Sequence, residues 1–182
     1  TDWTRSPTGY GDPSDVTEDV VRQARALHMD GFEPDAALKA ARIARLAGVP
    51  VTMDLEANGA QADALLAVGD YVIVPLHFCQ QRYGTAELPE AAEALFGEMA
   101  PNSAHAAVVT GGTRGSYAVW QGGAFRQPAF RVQVVDTTGC GDVFHGAFTF
   151  GVARGWGMAA NVRFASATAA LKCRALGGRT GI

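Results

Sequence analysis

A glycine-rich segment in the last third of the sequence carries most of its chemical information. Residues 136–148 read Asp-Thr-Thr-Gly-Cys-Gly-Asp-Val-Phe-His-Gly-Ala-Phe. Gly139 and Gly141 permit a tight turn and a close approach of the backbone to a ligand. The apolar pattern that follows predicts a helix, and the first N–H groups of a helix have no intrahelical partner. With the helix dipole they form an anion site, which suits a phosphate group.

The turn at residues 139–141 and the start of the predicted helix form what we call the glycine corner. Asp142 follows this turn directly and has two interpretations. The positive end of a helix favours a carboxylate in the first turn, so Asp142 needs no ligand to be explained. Alternatively, Asp142 accepts the proton of an incoming hydroxyl while the backbone holds a transferring phosphoryl group. Phosphoryl transfer requires such donors, a base at the nucleophile, and magnesium. The corner by itself leaves both interpretations open.

Alternating strands and helices are predicted to position this corner. Strands are predicted over 26–29, 50–54, 71–75, 106–110, 116–120 and 130–135, and helices over 17–24, 34–48, 61–68, 88–100, 141–153 and 161–176. This order predicts an α/β fold of three layers, a mostly parallel sheet with helices on both faces. Since such sheets bind ligands beyond the carboxyl ends of their strands, one rim is expected to carry the loops at Asp54, Pro75, Thr110 and Asp136.

Composition excludes several classes of protein. Of 182 residues, 48% are hydrophobic and 18% charged, which argues against disorder, and the net charge of -3 provides no basic field for nucleic acid or an anionic membrane. Cys79, Cys140 and Cys173 are too widely spaced for a disulfide framework or a zinc site. No apolar run reaches the ~18–20 residues of a membrane span, and Thr1–Asp12 lacks the apolar core of a signal peptide. We therefore predict a cytoplasmic protein.

Residues 136–148 resemble the signature of the ribokinase-like (PfkB) carbohydrate kinases, in which alanine usually stands at the position of Cys140. Residues 108–115 resemble the strand-end segment of that family, and residues 161–177 its small-residue helix beside the adenine. Residues 27–31 are similar to a strand end of the ketohexokinase-like subgroup. The resemblance extends from about Ala26 onward and covers the carboxyl-terminal portion of such a kinase.

The resemblance implies ATP-dependent phosphoryl transfer to a hydroxyl of a small sugar or sugar-like substrate, with Mg²⁺ and, as a further cation, K⁺. It implies that Asp142 is the catalytic base. It also implies that the backbone of Gly139, Cys140 and Gly141 is the anion hole for the transferring phosphoryl group.

The resemblance further implies two sets of binding residues. The nucleotide is expected beside Thr110, Gly112, Gly115, Asn161 and Ala165. A monovalent cation is expected at Asp136 and Thr138. Without the resemblance, Thr110 would be an ordinary strand-end residue and Asn161 a helix N-cap.

Two departures from the family keep other hypotheses open. Residues 75–80 lack the Asn-x-x-Glu motif with which many members order magnesium, and His77 and Gln80 occupy the approximate positions. This favours, as an alternative, a non-catalytic protein of the same fold that senses a nucleotide or sugar. A nucleoside kinase of the same family is a further alternative.

The second departure concerns the amino-terminal part. Nothing before Ala26 resembles the strands with which family members bind the sugar and build a lid. Residues 1–182 are therefore expected to be a single nucleotide-binding and catalytic domain that is partial. Because relatives commonly dimerise through the lid, the resemblance also implies a homodimer through the missing region.

Overall fold

Six strands form one sheet in their order along the chain, in a computed structural model that describes residues 12–102 and 104–178. The strands are β1 (Leu27–Met29), β2 (Val51–Asp54), β3 (Tyr71–Pro75), β4 (Ala106–Thr110), β5 (Ser116–Trp120) and β6 (Gly123–Gln127). Strands β1 to β4 are parallel, whereas β5 and β6 are antiparallel to their neighbours. The segment interpreted as lacking a signal peptide lies, apart from Asp12, outside the described residues.

Helices connect the parallel strands and follow the hairpin. They are α1 (Glu18–Arg22), α2 (Pro34–Leu46), α3 (Ala60–Leu66), α4 (Leu76–Tyr83), α5 (Leu88–Met99), α6 (Cys140–Ala153) and α7 (Met158–Lys172). Pro34 and Pro89 lie in the first turns of α2 and α5, where a missing N–H costs nothing. Gly84, at φ 73°, ends α4 in the left-handed conformation that glycine adopts without strain.

The side chains of β3 show how the sheet separates two helical layers. Val72 and Val74 point into the cluster that includes α2, α3, α4 and α5, whereas Ile73 points to the opposite face. There it packs with Phe148 of α6 and Val162 of α7. Successive residues of a strand face opposite sides, so a continuous apolar run fits a strand that is covered on both faces. The predicted three-layer α/β fold is confirmed.

The strand predicted over 130–135 is wrong. The partner of β5 is β6, which begins at once because Trp120 pairs with Gly123 across a two-residue turn. Residues 128–138 form no strand or helix, and Val134 and Val135 are 58% exposed. Asp136 therefore follows a loop and does not lie at the end of a strand. Its N–H and that of Val135 bind the carbonyl of Cys173, at the end of α7.

Several helix boundaries also differ from the sequence-based expectation. Helix α1 is shorter than predicted, and α7 begins and ends before the predicted 161–176. Helix α4 was not predicted at all. Its Leu76, Phe78 and Cys79 are buried while His77 and Gln80 are exposed, and this short alternation does not reveal a helix by its period alone.

Candidate active site

The glycine corner has a backbone that leaves donors available at the start of α6. Gly139 precedes the helix with φ 73°, and a Cβ there would lie 3.2 Å from the Cα of Gly178. Cys140 donates its N–H to the carbonyl of Thr137 at 3.1 Å. The N–H groups of Gly141 and Asp142 occupy helical positions that have no carbonyl one turn earlier within α6. A Cβ at Gly141 would meet no atom within 4 Å, so the space beside this backbone is open.

Hydrogen bonds made by Asp136 and Lys172 hold the loop that precedes the glycine corner. The two carboxylate oxygens of Asp136 accept N–H bonds from Thr138 at 2.9 Å and Gly177 at 2.8 Å. These bonds lower the pKa of Asp136 to about 2. The fully buried Lys172 donates from Nζ to the Asp136 carbonyl at 2.8 Å. A cation at Asp136 and Thr138 would have to use the remaining lone pairs, and that assignment stays a prediction.

Sequence reasoning did not identify Lys172 as part of this site. It lies 36 residues from Asp136 in the chain, so no local motif connects the two. The one available signal was composition, because Lys172 is one of only two lysines and stands in a helix of small residues. A buried lysine needs a partner, and this one has a carbonyl and, at 3.9 Å, a carboxylate.

A buried carboxyl and imidazole lie against the corner. Nδ1 of His145 is 2.8 Å from the Gly141 carbonyl and 3.2 Å from Oδ2 of Asp54, at the end of β2. Burial, assisted by Glu56 and Asp142 among others, raises the pKa of Asp54 to about 7. Burial lowers the pKa of His145 to about 4. The imidazole is therefore neutral at physiological pH, and the carboxyl titrates there.

Asp142 opens onto two cavities. One has a volume of about 510 Å³ and the other about 570 Å³, and Asp30, Asp54 and Asp142 line both. Their linings include no lysine or arginine among the described residues, so the cavities present carboxylates to an incoming molecule. Carboxylates accept hydrogen bonds from hydroxyl groups, and Asp142 is exposed enough to do so.

Three of the four predicted rim positions lie at one edge of the sheet. Pro75 pairs with Thr110, and Asp54 pairs with Ile73 of the same strand as Pro75. Because these strands are parallel, their carboxyl ends share an edge. The contact between Asp54 and His145 brings the start of α6 to the same edge.

The residues predicted to face the nucleotide lie in two different places, and the first set is at the end of β4 and in the turn that follows it. Thr110 ends β4 half-buried, and the turn after it contains Gly112 at φ 57° and Gly115 at φ 84°. A Cβ at Gly115 would lie 2.1 Å from the carbonyl of Gln127, so packing of the hairpin alone requires this glycine. Their contact with a nucleotide stays a prediction.

Asn161 and Ala165 lie inside the helical layer. Both are fully buried, and Asn161 donates from Nδ2 to the Phe148 carbonyl at 3.0 Å, which ties α7 to α6. Asn161 lies within α7, which Gly157 precedes, so it is not an N-cap. In this arrangement neither side chain reaches the surface, and the predicted adenine contact remains untested.

Three further findings concern the Cys140 thiol, metal-ligating side chains and membrane spans. Burial and the neighbouring Cys173 thiol raise the pKa of Cys140, which favours an unreactive thiol in the place of alanine. Within residues 12–102 and 104–178, no three His, Cys, Asp or Glu side chains form a group that could hold a metal ion. In the same part of the chain, no helix has the length and apolar character of a membrane span.

The chain is similar to known kinases over most of its length. The 5-dehydro-2-deoxygluconokinase of Shouchella clausii is 28% identical over 177 residues, which covers 89% of this chain and 54% of that protein. The chain thus spans about half the length of the curated relatives it matches. The structure of Arabidopsis thaliana ribokinase complexed with ribose and ATP matches 88% of this chain and 53% of that one, with TM-score 0.76 and 27% identity.

A second solved structure and a family model complete the comparison. Adenosine kinase from Sinorhizobium meliloti matches 95% of this chain and 56% of that one, with TM-score 0.81 and 26% identity. The model of the pfkB family carbohydrate kinases matches residues 6–182. The fold, the glycine corner and these matches agree that the chain belongs to the pfkB family of carbohydrate kinases.

Proposed function

We propose that the protein transfers the γ-phosphoryl group of ATP to a hydroxyl of a sugar or sugar-like alcohol. In this mechanism Asp142 orients the acceptor hydroxyl and takes its proton. Within the predicted 139–141 anion hole the Cys140 N–H is already bound to the Thr137 carbonyl, so the N–H groups of Gly141 and Asp142 at the start of α6 stabilise the charge on the transferring phosphoryl group. The observation that carries the proposal is that the Asp142 carboxylate and the N–H donors belong to the same turn of helix. Asp142 is the third residue of α6, whose first turn provides the donors.

The acceptor site is inferred from the cavities that Asp142 lines. A polyhydroxylated molecule can donate a hydrogen bond to the exposed Asp142, and Asp30 lines the same two cavities. The absence of a lysine or arginine from these linings, within the described residues, favours an uncharged acceptor over an anionic one. The relatives nevertheless include a 5-dehydro-2-deoxygluconokinase, whose name indicates an acceptor with a carboxylate, so both kinds of acceptor belong in the test.

The cations are supported less directly. Mg²⁺ would supply positive charge to the phosphate groups of ATP, and it usually retains several waters and binds few protein ligands. Since no three His, Cys, Asp or Glu side chains of the described residues lie together, Mg²⁺ would take most of its ligands from ATP and water. K⁺ at Asp136 and Thr138 would lie in a loop whose carboxylate already accepts two backbone N–H bonds.

A nucleoside kinase is the second candidate, because the adenosine kinase of Sinorhizobium meliloti matches the fold as well as the ribokinase does. The acceptor decides between the two, and the non-catalytic hypothesis predicts no transfer at all.

The test is an acceptor screen with the full-length protein, ATP and Mg²⁺. The panel contains ribose, other neutral sugars, 5-dehydro-2-deoxygluconate and adenosine, and mass spectrometry detects the phosphorylated product. We expect product from a sugar and only background from a reaction without acceptor. Transfer to adenosine alone would favour the nucleoside kinase. ATP binding without transfer to any acceptor would contradict catalysis and favour the sensing protein.

A further inference from the structure

His145 is a buried residue for which the proposed mechanism has no use. It lies on α6, one turn after Gly141, and is only 5% exposed. Its Nδ1 is 2.8 Å from the Gly141 carbonyl. A carbonyl oxygen can only accept a hydrogen bond, so Nδ1 carries the hydrogen of the neutral ring. Nε2 is then the unprotonated nitrogen; it makes no hydrogen bond with the described residues, and the backbone of Ile73 is a further polar group that acts on the ring.

The same N–H also faces Asp54. Oδ2 of Asp54 is 3.2 Å from Nδ1, and the side chain lies at the end of β2 with 9% of its residue surface exposed. The ring nitrogen that bonds to the Gly141 carbonyl of α6 therefore also lies within 3.2 Å of a carboxyl oxygen of the sheet. Asp54 Oδ1 has no hydrogen-bond partner among the described residues, so the polar contact of this carboxyl with the helix is the one between Oδ2 and His145.

A second polar contact ties the same strand to the same helix. Thr52, two residues before Asp54, lies with Oγ1 2.8 Å from Oγ1 of Thr149, four residues after His145. The hydroxyl of Thr149 also bonds to the His145 carbonyl at 2.8 Å. Residues i and i+2 of a strand share a face, as do i and i+4 of a helix, so the two contacts form a ladder between β2 and α6.

Fixing the Gly141 carbonyl has a consequence at the reaction site. The carbonyl of Gly141 and the N–H of Asp142 belong to one planar peptide unit and point in opposite directions. In α6 this carbonyl also accepts the backbone N–H of His145, and a second donor from the side chain further restrains the direction of the Asp142 N–H, one of the free donors at the start of the helix. It also fixes the backbone from which the Asp142 carboxylate extends.

We propose that His145 is a positioning residue, whose Nδ1–H bridges Asp54 and the Gly141 carbonyl and so aims the donors and carboxylate of the Asp142 peptide. This rests on the proposed phosphoryl transfer. His145 would touch neither substrate nor phosphate, and its effect would be on the rate of transfer rather than on ground-state binding.

Two variants of His145 separate positioning from packing. Asparagine can place an amide N–H near the former Nδ1, whereas leucine fills the space without a donor. We expect His145→Leu to lower kcat about 10- to 100-fold, the effect of a displaced reacting group, with little change in the KM for ATP. His145→Asn should recover most of the loss. His105→Leu, at an exposed histidine, is the control and should retain kcat.

A measurement that needs no turnover tests the bridge itself. In the full-length protein labelled with ¹⁵N-histidine, spectra at pH 7.5 should show His145 neutral with the hydrogen on Nδ1. A hydrogen on Nε2 would overturn the bridge. Wild-type kcat in His145→Leu, or equal losses in the leucine and asparagine variants, would overturn the positioning role. If the wild type phosphorylated no acceptor, the proposed function would fail while the tautomer still decided the bridge.

Discussion

Gly141→Ala separates the stability of the fold from the function of the corner. The φ of Gly141 is not in the left-handed region, and a Cβ there would meet no atom within 4 Å. Alanine can therefore adopt the native backbone without a clash. A glycine-to-alanine change at a compatible position stabilises a protein by about 0.4–1 kcal/mol, because it restricts the unfolded chain.

The same methyl group would occupy the open space beside the free N–H groups. A phosphoryl oxygen must approach such donors to ~2.7–3.1 Å, and loss of one preorganised donor typically costs about 10²–10³ in kcat. We therefore expect Gly141→Ala to reduce kcat/KM about 100-fold, or roughly 2.7 kcal/mol of transition-state stabilisation. Stability and activity should move in opposite directions.

The assay combines urea unfolding with steady-state kinetics on the acceptor that the screen identifies. Gly97→Ala is the matched control, since Gly97 is an exposed helical glycine on α5 whose Cβ would also meet nothing within 4 Å. It should show the gain in stability with unchanged kinetics. If Gly141→Ala were as active as the wild type, no ligand would approach this backbone, and the anion-hole assignment would be wrong.

Three further variants test neighbouring parts of the account. Gly139→Val should destabilise the protein by about 1–3 kcal/mol in urea unfolding, because a branched residue is strained at φ 73° and its Cβ would approach Gly178; unchanged stability would contradict this geometry. Cys140→Ala should keep kcat/KM near the wild-type value, and a large loss in the same assay would show that the thiol takes part. Asp54→Asn should become more stable relative to the wild type as pH rises from 4 to 7. The folded wild type binds the Asp54 proton more tightly than the unfolded chain does, so ionisation of Asp54 lowers the stability of the wild type. This loss of stability begins above the unfolded pKa of 3.8 and is complete above about 7, and it amounts to at most about 4 kcal/mol. A stability difference that is flat in pH would refute a raised pKa for Asp54.

The features that the sequence predicted are those carried by local patterns. The glycine corner and α6 are encoded in one continuous segment. Strands β2, β3 and β4 are short apolar runs bounded by turns, and their order predicts a parallel sheet. The match of the family model over residues 6–182 confirms the family resemblance, and the roles that the resemblance implies for these residues stay predictions.

The features that were missed depend on contacts distant in sequence. Asp54 and His145 meet only because β2 and α6 pack together, and Lys172 reaches Asp136 across 36 residues. Residues 130–135 have a strand-like composition, but the hairpin places β6 earlier and leaves Val134 exposed. Periodicity reports which side of a segment is apolar and does not identify its partner.

Asp142→Asn in the full-length protein tests the central claim most directly. Rates of phosphoryl transfer to the identified acceptor and the affinity for ATP are measured on the same preparations, with the exposed Glu93→Gln as a carboxylate-to-amide control. If Asp142 takes the proton of the acceptor, the variant should lose turnover by at least about 100-fold, as expected of a general base, while it still binds ATP. Retention of wild-type turnover by Asp142→Asn would contradict the mechanism.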